Sequence, residues 1–217
     1  MSATIRVLKQ LFVVLCRIQK SAWIDMNPEW GISEQVFQTC HLLFSAPWLP
    51  IGEEHIERLF SESGGVELNL SETNEALYLP PMKEETHFLP VLSLECKLND
   101  DVEIMKLRLM LVHCGGDEGK PHGIGFRMEA GENIHSFYHA QLIRDLQGAA
   151  QIENSPVECP LRFPETQPCI PLKAQDAVTL MLCLLISLYG IRHCWRLVVD
   201  YRLSELADHL KYFGVPQ

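Results

Sequence analysis

Two histidines four residues apart, His135 and His139, are the side chains best suited to chemistry. On a helix that spacing sets both on one face, close enough to share a metal ion. On a strand they share a face but stand roughly 13 Å apart, too far for a single ion. They follow an alternating run, Ile124 to Glu129, across Gly131-Glu132-Asn133, and this favours a strand. Ile134, Tyr138 and Leu142 also fit a helical period, so the pattern leaves both open. Arg127 and Glu129 precede the pair. Together the four offer acid, base and anion-clamp roles for a hydrolytic or phosphodiester reaction without a metal. The candidate catalytic set is therefore His135, His139, Arg127 and Glu129. Against it stands a plainer use, in which the imidazoles make hydrogen bonds at a sheet edge or under a loop.

Other constellations are incomplete. His113-Cys114, Cys159, Cys169 and His193-Cys194 include metal-ligand types, but no Cys-x-x-Cys spacing occurs, so no metal site is expected. The run Cys114-Gly-Gly-Asp-Glu-Gly-Lys-Pro-His122 lacks the order of a phosphate loop and joins strand to strand, which reads as a flexible hairpin loop. There is no nucleophile elbow, nucleotide fingerprint or basic-aromatic strip for RNA, and no cofactor is implied.

The elements around these residues can be read from periodicity. Residues 3 to 20 place Ile5, Leu8, Leu11, Phe12, Leu15 and Ile18 at helical spacing. Ser33 can cap a second helix carrying Val36, Phe37, Cys40, His41 and Phe44. A third begins at Glu53-Glu54, packs Ile56, Leu59 and Phe60, and is expected to stop at Gly64-Gly65. The period then changes to two. Leu92, Leu94, Cys96 and Leu98 alternate with Ser93, Glu95 and Lys97; Met105, Leu107, Leu109 and Leu111 alternate with Ile104, Lys106, Arg108 and Met110; and Ile124, Phe126 and Met128 alternate with Gly125, Arg127 and Glu129. Both apolar sets of the first hairpin face one core if the turn centres on Asp100-Asp101. That register puts Leu94 opposite Leu107, Cys96 opposite Met105, and Glu95 opposite Lys106 on the outer face. The outer face then holds Glu95, Lys97, Lys106, Arg108, Arg127 and Glu129, either a site or a solvated face with cross-strand ion pairs.

Residues 150 to 172 are Pro-rich and lose all periodicity, the mark of a long excursion. Asp176 caps an apolar helix over 177 to 189 that Gly190 ends. A short strand, Trp195 to Val199, is expected next, then a last helix capped by Ser204 and ended by Gly214. The chain thus reads as one α+β domain. Its parts are a helical 1–63, antiparallel strands in 66–146, the excursion 150–172 and C-terminal helices in 176–214. About four to six strands carry the N- and C-terminal helices on one face.

Composition agrees with a folded chain: 217 residues, 47% apolar and 21% charged. With a net charge of -10, non-specific nucleic-acid binding through phosphate neutralisation is not expected. The eight cysteines lack a preceding signal segment and several lie in apolar runs, so they read as cytosolic free thiols, with Cys40, Cys96 and Cys183 in the core. The apolar stretch 177–189 is shorter than the about 20 residues that a bilayer needs, so no membrane span is expected. Trp30 and Trp48, beside Pro or Gly, suit partly exposed positions at an interface.

Gly-Phe-Arg-Met-Glu (125–129), His-x-x-x-His (135–139) and Pro-x-x-Pro-Leu (168–172) before an apolar helix form a layout that resembles a group of small bacterial proteins. Their pattern is FRxD…HPxxHLQ…P, and the resemblance covers 123–189. It departs at Ser136, where the group has Pro, and at Ala140, where it has Leu. It implies a bacterial, intracellular protein, often from mobile or defence islands, and carries no activity with it.

Three readings follow. The first is an interaction subunit of a multi-protein system, phage defence or a mobile element among them, with a protein partner or a second copy. The second is a metal-independent hydrolase or nuclease using the four residues above. The third is a sensor with a ligand pocket between the sheet and the Pro-rich excursion.

Overall fold

Alternation at period two builds the centre of the structure. The computed structural model describes residues 3–24, 49–60, 66–70, 75–80, 88–98, 103–113, 123–130, 138–143 and 170–215. In chain order these hold α1 (Ala3–Ile24), β1 (Leu49–Pro50), α2 (Glu53–Leu59), β2 (Val66–Asn69), β3 (Glu75–Tyr78), β4 (Phe88–Leu98), β5 (Glu103–His113), β6 (Gly123–Ala130), β7 (Tyr138–Ile143), β8 (Ile170–Pro171), α3 (Ala177–Tyr189), α4 (Ile191–Asp200) and α5 (Ser204–Lys211). The expected helix over 33–44, the stop at Gly64-Gly65, the Gly-rich loop, His135, Trp30, Trp48 and the excursion up to residue 169 lie outside the described residues.

Six strands, β2 to β7, pair antiparallel around a long hairpin. The β4–β5 register is the one the apolar parity requires, with Leu94 opposite Leu107, Cys96 opposite Met105 and Glu95 opposite Lys106. One edge of β4 takes β5. The other is shared by β3 near Val91 and β2 near Cys96. Two-residue strands flank the rest, β1 parallel to β3 and β8 antiparallel to β7.

The even positions of β4 and odd positions of β5 join one core with the helices. Leu92, Leu94, Cys96, Met105, Leu107 and Leu109 cluster with Leu8, Leu11 and Phe12 of α1, and with much of α3. A helix that is apolar all round must be buried all round. In α1 every residue from Leu11 to Cys16 is buried, with Arg17 emerging at the surface. Gln19, 4% exposed, is held by main chain: its Nε2 donates to the Ile51 carbonyl at 2.9 Å, and its Oε1 accepts from the Tyr78 N–H at 2.7 Å.

The C-terminal helices both meet and correct the sequence reading. Asp176 and Thr179 form a reciprocal capping box at the start of α3, and Gly190 ends it at φ 79°. The span Trp195–Val199 is helix, not strand. Cys194 and Val198, four residues apart, are both buried, while Val199 is 71% exposed. Alternation across Trp195, Leu197 and Val199 mimics a strand, but burial follows the helical period. Ser204 is the first residue of α5, not its cap; Leu203 holds the cap position without a side-chain hydrogen bond. Helix α2 ends at Leu59, with Phe60 as its C-cap. Cys183 is not a core residue: it is half-buried, and its thiol donates to the Lys173 carbonyl at 3.0 Å.

Among the described residues no single helix is long and apolar enough to cross a membrane. Helices α3 and α4 meet at a bend of 114°.

Candidate functional site

Strand parity gathers the predicted polar residues on the sheet face opposite the core. Register sets them in rows across the strands. One row runs Asn69, Glu95, Lys106, Glu129, His139 and Pro171. The next runs Ser93, Arg108, Arg127 and Gln141. A third runs Tyr78, Val91, Met110, Gly125 and Ile143. Three of the four expected catalytic residues, Arg127, Glu129 and His139, thus occupy neighbouring positions.

Charge alternates along the first row, which is the favourable order for cross-strand neighbours. Lys106 Nζ lies 3.8 Å from Glu95 Oε2. Arg108 and Arg127 are direct opposites and repel, so the Arg127 side chain is drawn to other partners. Its Nε contacts Glu129 Oε1 at 3.0 Å and its Nη2 donates to Gln141 Oε1 at 2.7 Å.

Burial limits what this face can do. Ser93 is 0% exposed, Val91 0%, Met110 3% and His139 5%. The expected solvated face is therefore closed around Val91, Ser93 and Met110, and in the first row His139 is buried while Glu95 and Lys106 stay partly exposed. A general base must come within hydrogen-bond reach of its substrate. In this conformation the His139 ring is out of reach of an incoming molecule, while Arg127 is exposed and Glu129 half-buried. The arrangement is an ion-pair ladder that ends on a buried imidazole.

A second His–carboxylate pair had no signature in the sequence. His55 Nδ1 of α2 lies 2.9 Å from Glu75 Oε1 of β3, and both side chains are mostly buried. The other carboxylate oxygen, Glu75 Oε2, is buried with no hydrogen-bond partner among the described residues. Cys16 of α1 lies in the same region, but burial, reinforced by Glu53 and Glu75, pushes its thiol up to about 12. At neutral pH it is a protonated core thiol and not a nucleophile. Burial likewise raises Cys194 to about 12 and Cys183 to about 11. Cys16, Cys96, Cys183 and Cys194 form no disulfide, and among the described residues no three His, Cys, Asp or Glu side chains converge as metal ligands.

An exposed surface of mixed charge and apolar character lies on α4. Arg192, His193, Arg196, Val199 and Asp200 are exposed, and at 100° per residue they fall within about one third of the helix circumference. Tyr201, 39% exposed, and Arg202 extend this surface past the helix end. Cys194 and Val198 bind the opposite side of α4 to the core. Compared with family models, curated proteins and solved structures, the chain matches none.

Proposed function

We propose that the chain is a protein-interaction subunit and that the solvent face of α4 is where it docks. The observation that carries this reading is the exposed pair Val199 and Tyr201, set among Arg192, Arg196 and Arg202 on α4 and the turn that ends it, the helix's other side being fixed in the core. Interface centres favour aromatic and Arg side chains, and Tyr201 and the arginines supply both. A rigid helix bearing them needs little ordering on binding. Native mass spectrometry of the untagged protein from its own cells tests the reading. The expected result is a mass above 24.8 kDa that resolves into a second polypeptide or a second copy and is lost on Val199→Glu. A bare monomer, or a complex indifferent to that change, overturns it.

A second reading, hydrolase or nuclease, draws support from the register that sets Glu129 opposite His139 with Arg127 beside them. It requires the cover over His139 to open. Turnover in a nuclease and hydrolase panel that His139→Ala, His135→Ala and Arg127→Ala each abolish would support it, and activity that survives His139→Ala would end it.

A further inference from the structure

We infer that the α4 face receives an acidic protein segment carrying apolar residues, whose carboxylates meet Arg196 and Arg202 while its apolar side chains cover Val199 and Tyr201. The inference rests on the docking role proposed above and adds the chemistry of what docks.

The first support is charge. The whole chain carries a net charge of -10, and three of its other surface arginines find carboxylates within it. Arg6 meets Glu205 at 2.8 Å, Arg17 donates to Glu53 at 2.8 Å, and Arg127 meets Glu129 at 3.0 Å. The guanidinium groups of Arg196 and Arg202 make no hydrogen bond or ion pair with any described residue. Even Asp200, four positions after Arg196, forms no ion pair with it. Two unmatched guanidiniums on an acidic chain are a local field of opposite sign, and planar guanidinium forks suit carboxylates.

The second support is backbone geometry. Helix α4 ends in a Schellman turn: the Leu203 N–H donates to the Val198 carbonyl at 3.0 Å, and the Arg202 N–H points to the Val199 carbonyl at 3.4 Å. Buried Leu203 and Val198 belong to the same core and supply the turn's hydrophobic contact. The turn forces its C′ residue into the left-handed region, where Gly fits and a β-carbon is strained. This position is Arg202, at φ 55°, the one non-Gly residue with positive φ among those described. Arg thus stands where Gly would stabilise the turn, one residue after Tyr201 and three after Val199. Strain kept at an exposed residue points to use of that side chain.

Other polyanions fit less well. A nucleic acid would bring a dense line of phosphates against an acidic chain with few arginines to neutralise them. A lipid surface would meet only Val199 and Tyr201, because the apolar side of α4 is committed to the core.

The test uses the full chain and fluorescence anisotropy. The probes are labelled peptides alternating Glu with Leu, matched peptides with Lys for Glu or Ser for Leu, an oligothymidylate, and phosphatidylserine vesicles. The Glu/Leu peptide is expected to bind, and both matched peptides to bind at least about tenfold more weakly. Arg196→Glu is expected to weaken the Glu/Leu peptide by about tenfold or more. Arg202→Gly should weaken it while raising the melting temperature, which separates lost binding from lost folding. The inference is overturned if no peptide binds, if Lys/Leu binds as well as Glu/Leu, or if neither Arg change alters binding. It is also overturned if the oligothymidylate or the vesicles bind this face in preference to the peptide. A partner released by Val199→Glu with no peptide binding leaves the subunit reading standing and fells this inference. A bare monomer that binds Glu/Leu peptide through both arginines does the reverse.

Discussion

Gln19 shows how much one side chain settles. It is a buried amide on α1 that satisfies a carbonyl just after β1 and an N–H of β3, so it joins helix to sheet edge. Replacing it with Leu keeps the volume but leaves both main-chain groups without this partner. Each buried group left unmade costs about 1–3 kcal/mol, so Gln19→Leu is expected to destabilise the fold by about 2 kcal/mol or more. A urea titration checks this as a lower midpoint at unchanged slope. A midpoint equal to wild type would mean that the amide carries no such share. The sequence gives no sign of Gln19, because its partners come from elements far along the chain. The same is true of His55 and Glu75. His139 was half legible. Strand parity places it with Arg127 and Glu129, since parity depends only on counting residues. Its burial was not legible, because Ser93 and Arg108 read as a solvent face whichever way that face is covered.

At the scale of elements, the parts set by short-range chemistry are those that could be read. The Asp176 carboxylate accepts the Thr179 N–H at 2.7 Å, and the Thr179 hydroxyl accepts the Asp176 N–H at 2.9 Å. Both lie within one turn of sequence, so the start of α3 is visible in residue types alone. Asp176→Ala is expected to cost about 1 kcal/mol, the usual loss for an N-cap carboxylate. Differential scanning calorimetry would show a lower melting temperature, whereas an unchanged one would show that tertiary packing alone starts the helix. The β4–β5 hairpin was legible for a similar reason, since apolar parity on two adjacent strands admits few registers. Helix α4 was not. Trp195, Leu197 and Val199 satisfy a period of two, while Ile191, Cys194 and Val198 satisfy a helical one. The contest is decided by the core beneath Cys194 and Val198, which no local pattern reveals.

At the scale of the whole molecule, the core ties the N-terminal helix to the C-terminal ones through buried thiols, and this sets an alkaline limit on stability. Cys16 of α1 and Cys194 of α4 belong to one cluster. Burial raises both thiols from 9.0 to about 12, with Glu53 and Glu75 adding to the shift at Cys16. In the unfolded chain these thiols release their protons near the ordinary value, while the folded chain still holds them. Between about pH 9 and about pH 12 the folded state therefore binds more protons, and stability falls as pH rises. Below that window the contribution is fully present. Each thiol contributes at most about 1.4 kcal/mol per pH unit within it. Burial also raises Tyr189, whose hydroxyl donates to the Pro80 carbonyl at 2.7 Å, and this acts in the same direction at higher pH. Urea unfolding at about pH 8 and about pH 10.5 should show wild type losing stability between them. Cys16→Ala and Cys194→Ala should each start from lower stability, because each leaves a small cavity, yet lose less of it over the same interval. If both variants fall as steeply as wild type, the thiols do not set the limit, and the alkaline loss belongs to the lysines and tyrosines of the surface.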